Sequence, residues 1–223
     1  MKDSDIRRVL RAHLADCHRG EDSLILDELG ILQGESRVDL AVINGQLHGY
    51  EIKSDRDTLV RLPRQRACYA KCFDTMTLVV GSSHVQKARR MTPRWWGIIE
   101  ATVVDGTPIL TTKREPQANT RVKAEAVIKL VWKAEAVAIA IGSGMPAGTL
   151  PRKRSELLEL LVRTLSLEEV RRRVRETLKL RGDWRSGPSP FRCDGSSRSS
   201  AKSPRSRKGL EWLRGLRFPD RPS

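Results

Sequence analysis

RVDLAVINGQLHGYEIKSDRD, residues 37–57, carries two runs of alternating apolar and polar residues hinged at Asn44-Gly45. A period of two on both sides of an Asn-Gly pair signals a β-hairpin. Its charges are out of place for a hairpin with one clean apolar face. Asp39 falls among the apolar residues of the first strand, and Glu51 and Lys53 bracket Ile52 on the second. Alternation puts Glu51 and Lys53 on one side of their strand, and Asp39, Ala41 and Ile43 on one side of theirs. The turn decides whether the carboxylates meet. A two-residue loop pairs Ile43 with Gln46 and sends Asp39 and Glu51 to opposite faces. A three-residue loop or a bulge pairs Ile43 with Leu47 and sets Asp39 across from Glu51. Gly45 suits the left-handed position of a G1 bulge, so the second register is accessible, and alternation alone leaves both open.

If the carboxylates do share a face, their repulsion drives one pKa up unless a cation sits between them. Mg²⁺, or Mn²⁺, is the expected cofactor, because it takes carboxylate oxygens, keeps several waters and leaves room for phosphate oxygens. Lys53 beside it would orient or deprotonate a water, or offset charge building on a phosphate. These are the parts of a phosphodiester hydrolase.

Working outward, Ile6, Val9, Leu10 and Leu14 lie at helical spacing in SDIRRVLRAHLADCH, residues 4–18. LILDELGIL reads as an extended segment before the hairpin. After Lys53 comes a polar stretch, then a helix carrying Cys68, Tyr69 and Cys72, with Pro63 near its start. TMTLVVGSS is a buried strand, HVQKARRM a short helix, WWGIIEATVV a further strand and TPILTTKRE an edge strand. The order αβββαβαβ defines an α/β class with a mixed sheet covered by helices. A composition shift near residue 113 divides the chain into a core over 1–112, a helical basic extension over 113–182 and a basic tail over 183–223. The extension reads as helices VKAEAVIKLVWKAEAVAIAI, RSELLELLVRTL and SLEEVRRRVRETLKLR, the last with Ser166 and Glu169 as a capping box. The tail is rich in Ser, Pro, Gly and Arg without a period, which reads as disorder.

Residues 1–112 hold 16 Lys+Arg against 15 Asp+Glu, and residues 113–223 hold 26 against 12, so nearly all of the +15 net charge lies in the second half. A near-neutral core with a basic extension fits DNA as partner. Cys17, Cys68, Cys72 and Cys193 lack paired CxxC spacing and read as free thiols. No run of eighteen apolar residues occurs, and MKDSDIRRVL is no signal peptide, so the expectation is a cytoplasmic protein with no membrane partner.

Asp39, eleven residues, then Glu51-Ile52-Lys53 resembles the D…(D/E)xK signature of the PD-(D/E)XK nuclease superfamily, whose core is an αβββαβ unit of restriction-endonuclease-like fold. Gln65-Arg-Ala-Cys-Tyr69 resembles the QxxxY element of its RecB-like branch. More closely, the run from Glu28-Leu-Gly through the hairpin to Trp95-Trp96-Gly resembles an uncharacterised bacterial family assigned to that superfamily. VWKAE at 131–135 and LKLRGDW at 178–184 resemble that family's C-terminal part and carry no known role. The superfamily's Pro before the metal-binding Asp is Val38 here. The resemblance implies a Mg²⁺-dependent DNA endonuclease in which Glu28, Asp39, Glu51 and the Ile52 carbonyl hold metal. Asp39, Glu51 and Lys53 would be catalytic, with Gln65 and Tyr69 supporting them.

Arg56, Arg61 and Arg64 near the site, and Arg171, Arg172 and Arg175 on the outward face of the last helix, are the expected phosphate contacts. Glu35 rivals Glu28 as the extra acid, and Tyr69 reads equally as core. His48 and His84 read as surface residues, and Trp95 and Trp96 as packing residues. A homo-oligomer is compatible with double-strand cleavage. The competing readings are a DNA-binding or recruitment module that keeps the fold without cleavage, and an RNA-associated basic protein.

Overall fold

A computed structural model describes residues 1–182, and the tail reading falls on residues outside that range. Helix α1 (Asp3–Cys17) precedes the strands β1 (Leu24–Ile31), β2 (Ser36–Ile43) and β3 (Leu47–Lys53). Helix α2 (Leu62–Cys72), β4 (Thr75–Gly81), α3 (Val85–Met91), β5 (Gly97–Val104) and β6 (Thr107–Arg114) follow. The strands lie in sequence order in one six-stranded sheet. β1, β2 and β3 pair antiparallel, β3, β4 and β5 parallel, and β6 antiparallel on β5. The mixed α/β architecture and its element order follow the sequence reading, because the parallel pairs need the crossover helices that the 3.6-residue periods mark.

The sheet is covered on both faces. Ile6, Leu10 and Leu14 of α1 pack with Leu40, Val42, Tyr50, Ile52 and Val79 on one face. The other face carries Ala41, Ile43, Leu78 and Val80 against Tyr69, Cys72 and Phe73. At Gly49 on that face, a Cβ would come 2.4 Å from Met76 Sδ and 3.0 Å from a Phe73 ring carbon. Both neighbours are fully buried. Gly49→Ala is therefore expected to cost about 1–3 kcal/mol of unfolding free energy in urea titration, an overpacking penalty.

His48 differs from its surface reading. Its ring stacks on Tyr50 at 4.2 Å, its Nε2 lies 2.8 Å from the Thr77 hydroxyl, and burial, then His18, pushes its pKa down to about 4. An unfolded histidine titrates near 6.5. Between those values the unfolded chain takes a proton that the folded one refuses, so stability falls as pH drops through the window. His48→Gln is expected to flatten that limb by on the order of 3 kcal/mol between pH 6.5 and 4, read by urea denaturation at a series of pH values.

Beyond β6, α4 (Ala124–Val127), α5 (Lys133–Gly142), α6 (Arg154–Thr164) and α7 (Leu167–Arg181) complete the described chain. The single helix expected over 122–141 is broken: a 3₁₀ turn at Ile128–Leu130 and extended Val131 and Trp132 separate α4 from α5. The break carries neither Gly nor Pro. Glu135 holds it by accepting from the Trp132 N–H at 2.6 Å. The Ser166–Glu169 capping box starts α7 as expected. The composition shift near 113 is not a break in packing. Leu157, Leu161, Val170, Val174 and Leu178 share one apolar cluster with Val38, Tyr69 and Val80 of the sheet layer.

Candidate active site

The hairpin takes the odd register: Ile43 pairs with Leu47 and Leu40 with Tyr50, which brings Asp39 level with Glu51. Gly45 is not left-handed, so of the two routes to this register the G1 bulge is not the one taken. The Asn44 side chain accepts from the Gln46 N–H at 2.9 Å and closes a three-residue loop instead.

The two strands before β3 are both disturbed at the site. Leu26 and Leu29 on β1, and Val38 and Ala41 on β2, reach the same apolar cluster although each pair is three residues apart. Simple alternation forbids this. Glu28 lies between the first pair with φ of 54°, a left-handed value unfavourable for a side chain with a Cβ. Across from it the β2–β3 ladder ends at Leu40, and Asp39 Oδ2 accepts from the Ile52 N–H at 2.7 Å. The aspartate thus stands in for a backbone carbonyl.

Glu51 points to the α2 face and is 2% exposed. Its Oε1 accepts from Lys53 Nζ at 2.5 Å and from Gln65 Nε2 at 2.6 Å, and its Oε2 from the Tyr69 hydroxyl at 2.6 Å. One helical turn separates Gln65 from Tyr69, which lets α2 aim both at one carboxylate. Burial and then Asp39 hold the Glu51 pKa above the usual carboxylate range, against the pull of Lys53 and Tyr69. Asp39 is also raised by burial, against the Ile52 N–H and Arg7. Burial and Glu51 raise Tyr69, keeping it a neutral donor.

Arg7 was not singled out by the sequence. Its Nη2 lies 2.7 Å from Asp39 Oδ1 and 2.9 Å from Glu28 Oε1, and its Nη1 donates to the Asp39 carbonyl at 2.8 Å. Arg11, one turn on, pairs with Asp27 at 2.6 Å. The only trace in the sequence is that both arginines flank the apolar stripe of α1, a pattern that marks an exposed helix border equally well.

Glu28 also faces Arg37 at 3.4 Å. Among the described residues no group of three or more His, Cys, Asp or Glu side chains is placed to hold a metal ion, so Glu28, Asp39 and Glu51 do not converge. Glu35, the rival acid, is exposed and lies 3.6 Å from Cys68 Sγ. The two carboxylates expected to share a cation, Asp39 and Glu51, bond to helices on opposite faces of the sheet, Asp39 to Arg7 of α1 and Glu51 to Gln65 and Tyr69 of α2. They are level on paired strands, Glu51 carries charge that burial opposes, and Gln65 Oε1 beside it is buried without a hydrogen-bond partner in the described chain.

Arg56, Arg61 and Arg64 are exposed on the segment that leads from Lys53 into α2. The last helix differs from its expected outward display. Arg171 and Arg175 turn to Asp74 at 3.1 and 3.6 Å, and Arg172 pairs with Glu176 at 2.8 Å. Asp74 precedes β4 and takes the Leu47 N–H at the start of β3, roughly 20 Å of strand from Lys53. Trp96 is fully buried and stacks on Tyr69 at 6.1 Å, and His84 Nε2 lies 2.9 Å from the Asp57 carbonyl.

The fold and site thus define a mixed α/β protein with a buried glutamate–lysine–tyrosine centre beside an arginine-held aspartate. Residues 3–186 match the family model described as bacteriophage P4 protein cII, and the chain belongs to that family. A relative, protein cII of Enterobacteria phage P4, is 32% identical over 79 residues, which is 35% of this chain and 30% of that protein. The matched stretch therefore spans less than a third of that relative's length. No solved structure matches the chain. No helix among the described residues is long and apolar enough to cross a membrane.

Proposed function

We propose that this protein is a divalent-metal-dependent nuclease that hydrolyses DNA phosphodiester bonds on a restriction-endonuclease-like core. The observation that supports it best is the buried Glu51 carboxylate, held by Lys53, Gln65 and Tyr69 with Asp39 level across the hairpin. Asp39 and Glu51 would hold Mg²⁺ or Mn²⁺, which supplies Lewis acidity and a water of lowered pKa. Tyr69 and Gln65 orient Glu51. Lys53, 6% exposed, offers an ammonium that can turn from Glu51 to a phosphate oxygen or an attacking water. Arg56, Arg61 and Arg64 grip the phosphate backbone beside them.

A second reading draws on Arg7. With Arg7 and Arg37 on Glu28, Arg7 on Asp39 and Lys53 on Glu51, the carboxylates are neutralised from within. That favours a DNA-binding module without cleavage. Incubating the protein with linear, nicked, single-stranded and supercoiled DNA plus Mg²⁺ or Mn²⁺, beside Glu51→Gln and Lys53→Ala, separates the two. Cleavage lost in both variants supports the nuclease. Cleavage that survives both sinks the site, and tight, salt-sensitive binding without cleavage supports the module.

A further inference from the structure

Arg181, at the end of α7, and the VWKAE segment, residues 131–135, are far apart in sequence and meet in the fold. Arg181 Nε donates to Glu135 Oε1 at 2.7 Å, its Nη2 donates to the Leu130 carbonyl at 3.0 Å, and its guanidinium lies 4.1 Å from the centre of the Trp132 ring. Glu135 is fully buried, whereas Trp132 stays 46% exposed. A buried ion pair therefore braces a large aromatic ring at the surface. The ring opens onto a cavity of about 350 Å³, within the range of small-ligand sites, whose lining includes Lys129, Arg154, Arg181 and Glu28.

The charge of this cavity is positive once its pairs are taken together. Asp27 and Glu28, the two acids that line it, are held by Arg11 and by Arg7 with Arg37. Arg154 spends Nε and Nη2 on the carbonyls of Val131 and Lys129, which fixes it without neutralising it. Lys129 adds a second cation on the same wall. A half-exposed indole, backed on one side by Arg181 and set beside the fixed guanidinium of Arg154 and the exposed ammonium of Lys129, suits a nucleotide, whose base stacks while its phosphate finds the charge. Glu28 joins this cavity to the Arg7–Asp39 network.

We infer that this cavity is a subsite for one nucleotide of single-stranded DNA, with the base on Trp132 and the phosphate on Lys129 and Arg154. The inference rests on the reading of DNA as partner, but not on cleavage. It is tested on the full chain carrying Glu51→Gln, so that binding is read without hydrolysis. Fluorescence anisotropy of a labelled ten-residue oligothymidylate is compared with that of a labelled duplex of equal length.

Trp132→Ala is expected to weaken single-strand binding about tenfold, the scale of one stacked base, while duplex affinity changes less than about twofold. Trp132→Phe, which keeps an aromatic face, should stay within about threefold of the parent. Lys129→Ala should lower the slope of log affinity against log salt by about one. Unchanged single-strand binding in Trp132→Ala would overturn the subsite. Equal loss on duplex, or Phe as damaging as Ala, would overturn it too. Binding of thymidine monophosphate as tight as the oligonucleotide's would replace the strand by a free nucleotide. Loss of cleavage in Glu51→Gln with retained Trp132-dependent binding keeps the subsite apart from the catalytic reading.

Discussion

Glu51→Gln is expected to reduce divalent-dependent DNA cleavage by about a thousandfold or more, with DNA binding retained. The substitution keeps the shape of the side chain and removes its charge. A glutamine offers Lys53 Nζ and the Tyr69 hydroxyl one carbonyl oxygen where the carboxylate offered two. It also removes one of the two carboxylates that would hold the cation. The fold should survive, because Glu51 is a buried charge raised in pKa by its own desolvation, and Lys53 keeps Asp39 as an electrostatic neighbour. Single-turnover cleavage of supercoiled DNA, with circular dichroism as the control for folding, reads both outcomes. Cleavage within tenfold of the parent would remove Glu51 from the chemistry.

Glu135→Ala is expected to carry the largest stability penalty, about 3–5 kcal/mol in urea unfolding, because it strands Arg181 in a buried place. Arg181 is 7% exposed and Glu135 not at all. The glutamate also takes the Trp132 N–H that begins α5, so its loss removes a cap together with an ion partner. Replacing both members, Glu135→Met with Arg181→Met, should recover most of the loss, since an apolar pair of similar volume pays no desolvation. A loss below about 1 kcal/mol for the single variant would show that the pair is not a pillar of the helical layer.

The hairpin shows how far the sequence carries. Alternation around Asn44-Gly45 named Asp39, Glu51 and Lys53 as misplaced charges, and helical spacing put Gln65 and Tyr69 one turn apart. Those are local periods, and local periods are legible. The register was not, because a strand's pattern is unchanged by the loop that joins it to its partner. The Asn44 side chain, bonding to the Gln46 N–H, made the choice. Arg7 was hidden for a related reason: a border arginine on an amphipathic helix looks the same whether it meets water or a carboxylate on another strand. Arg171 and Arg175 erred in the opposite direction, since charge on a helix face says nothing of Asp74 waiting across the loop.

The order of strands and helices in the sheet layer, the mixed α/β class, the capped last helix and the identity of the charged residues inside the hairpin could all be read along the chain. Each rests on interactions within a few residues, which composition and period record directly. It took long-range packing to turn Glu28 left-handed toward Arg7 and Arg37, to close Glu51 on Lys53, Gln65 and Tyr69, and to brace Trp132 with Arg181 over a cavity. These partners are brought together by burial of the apolar faces around them, and a buried charge takes whichever opposite charge or donor that packing leaves within reach.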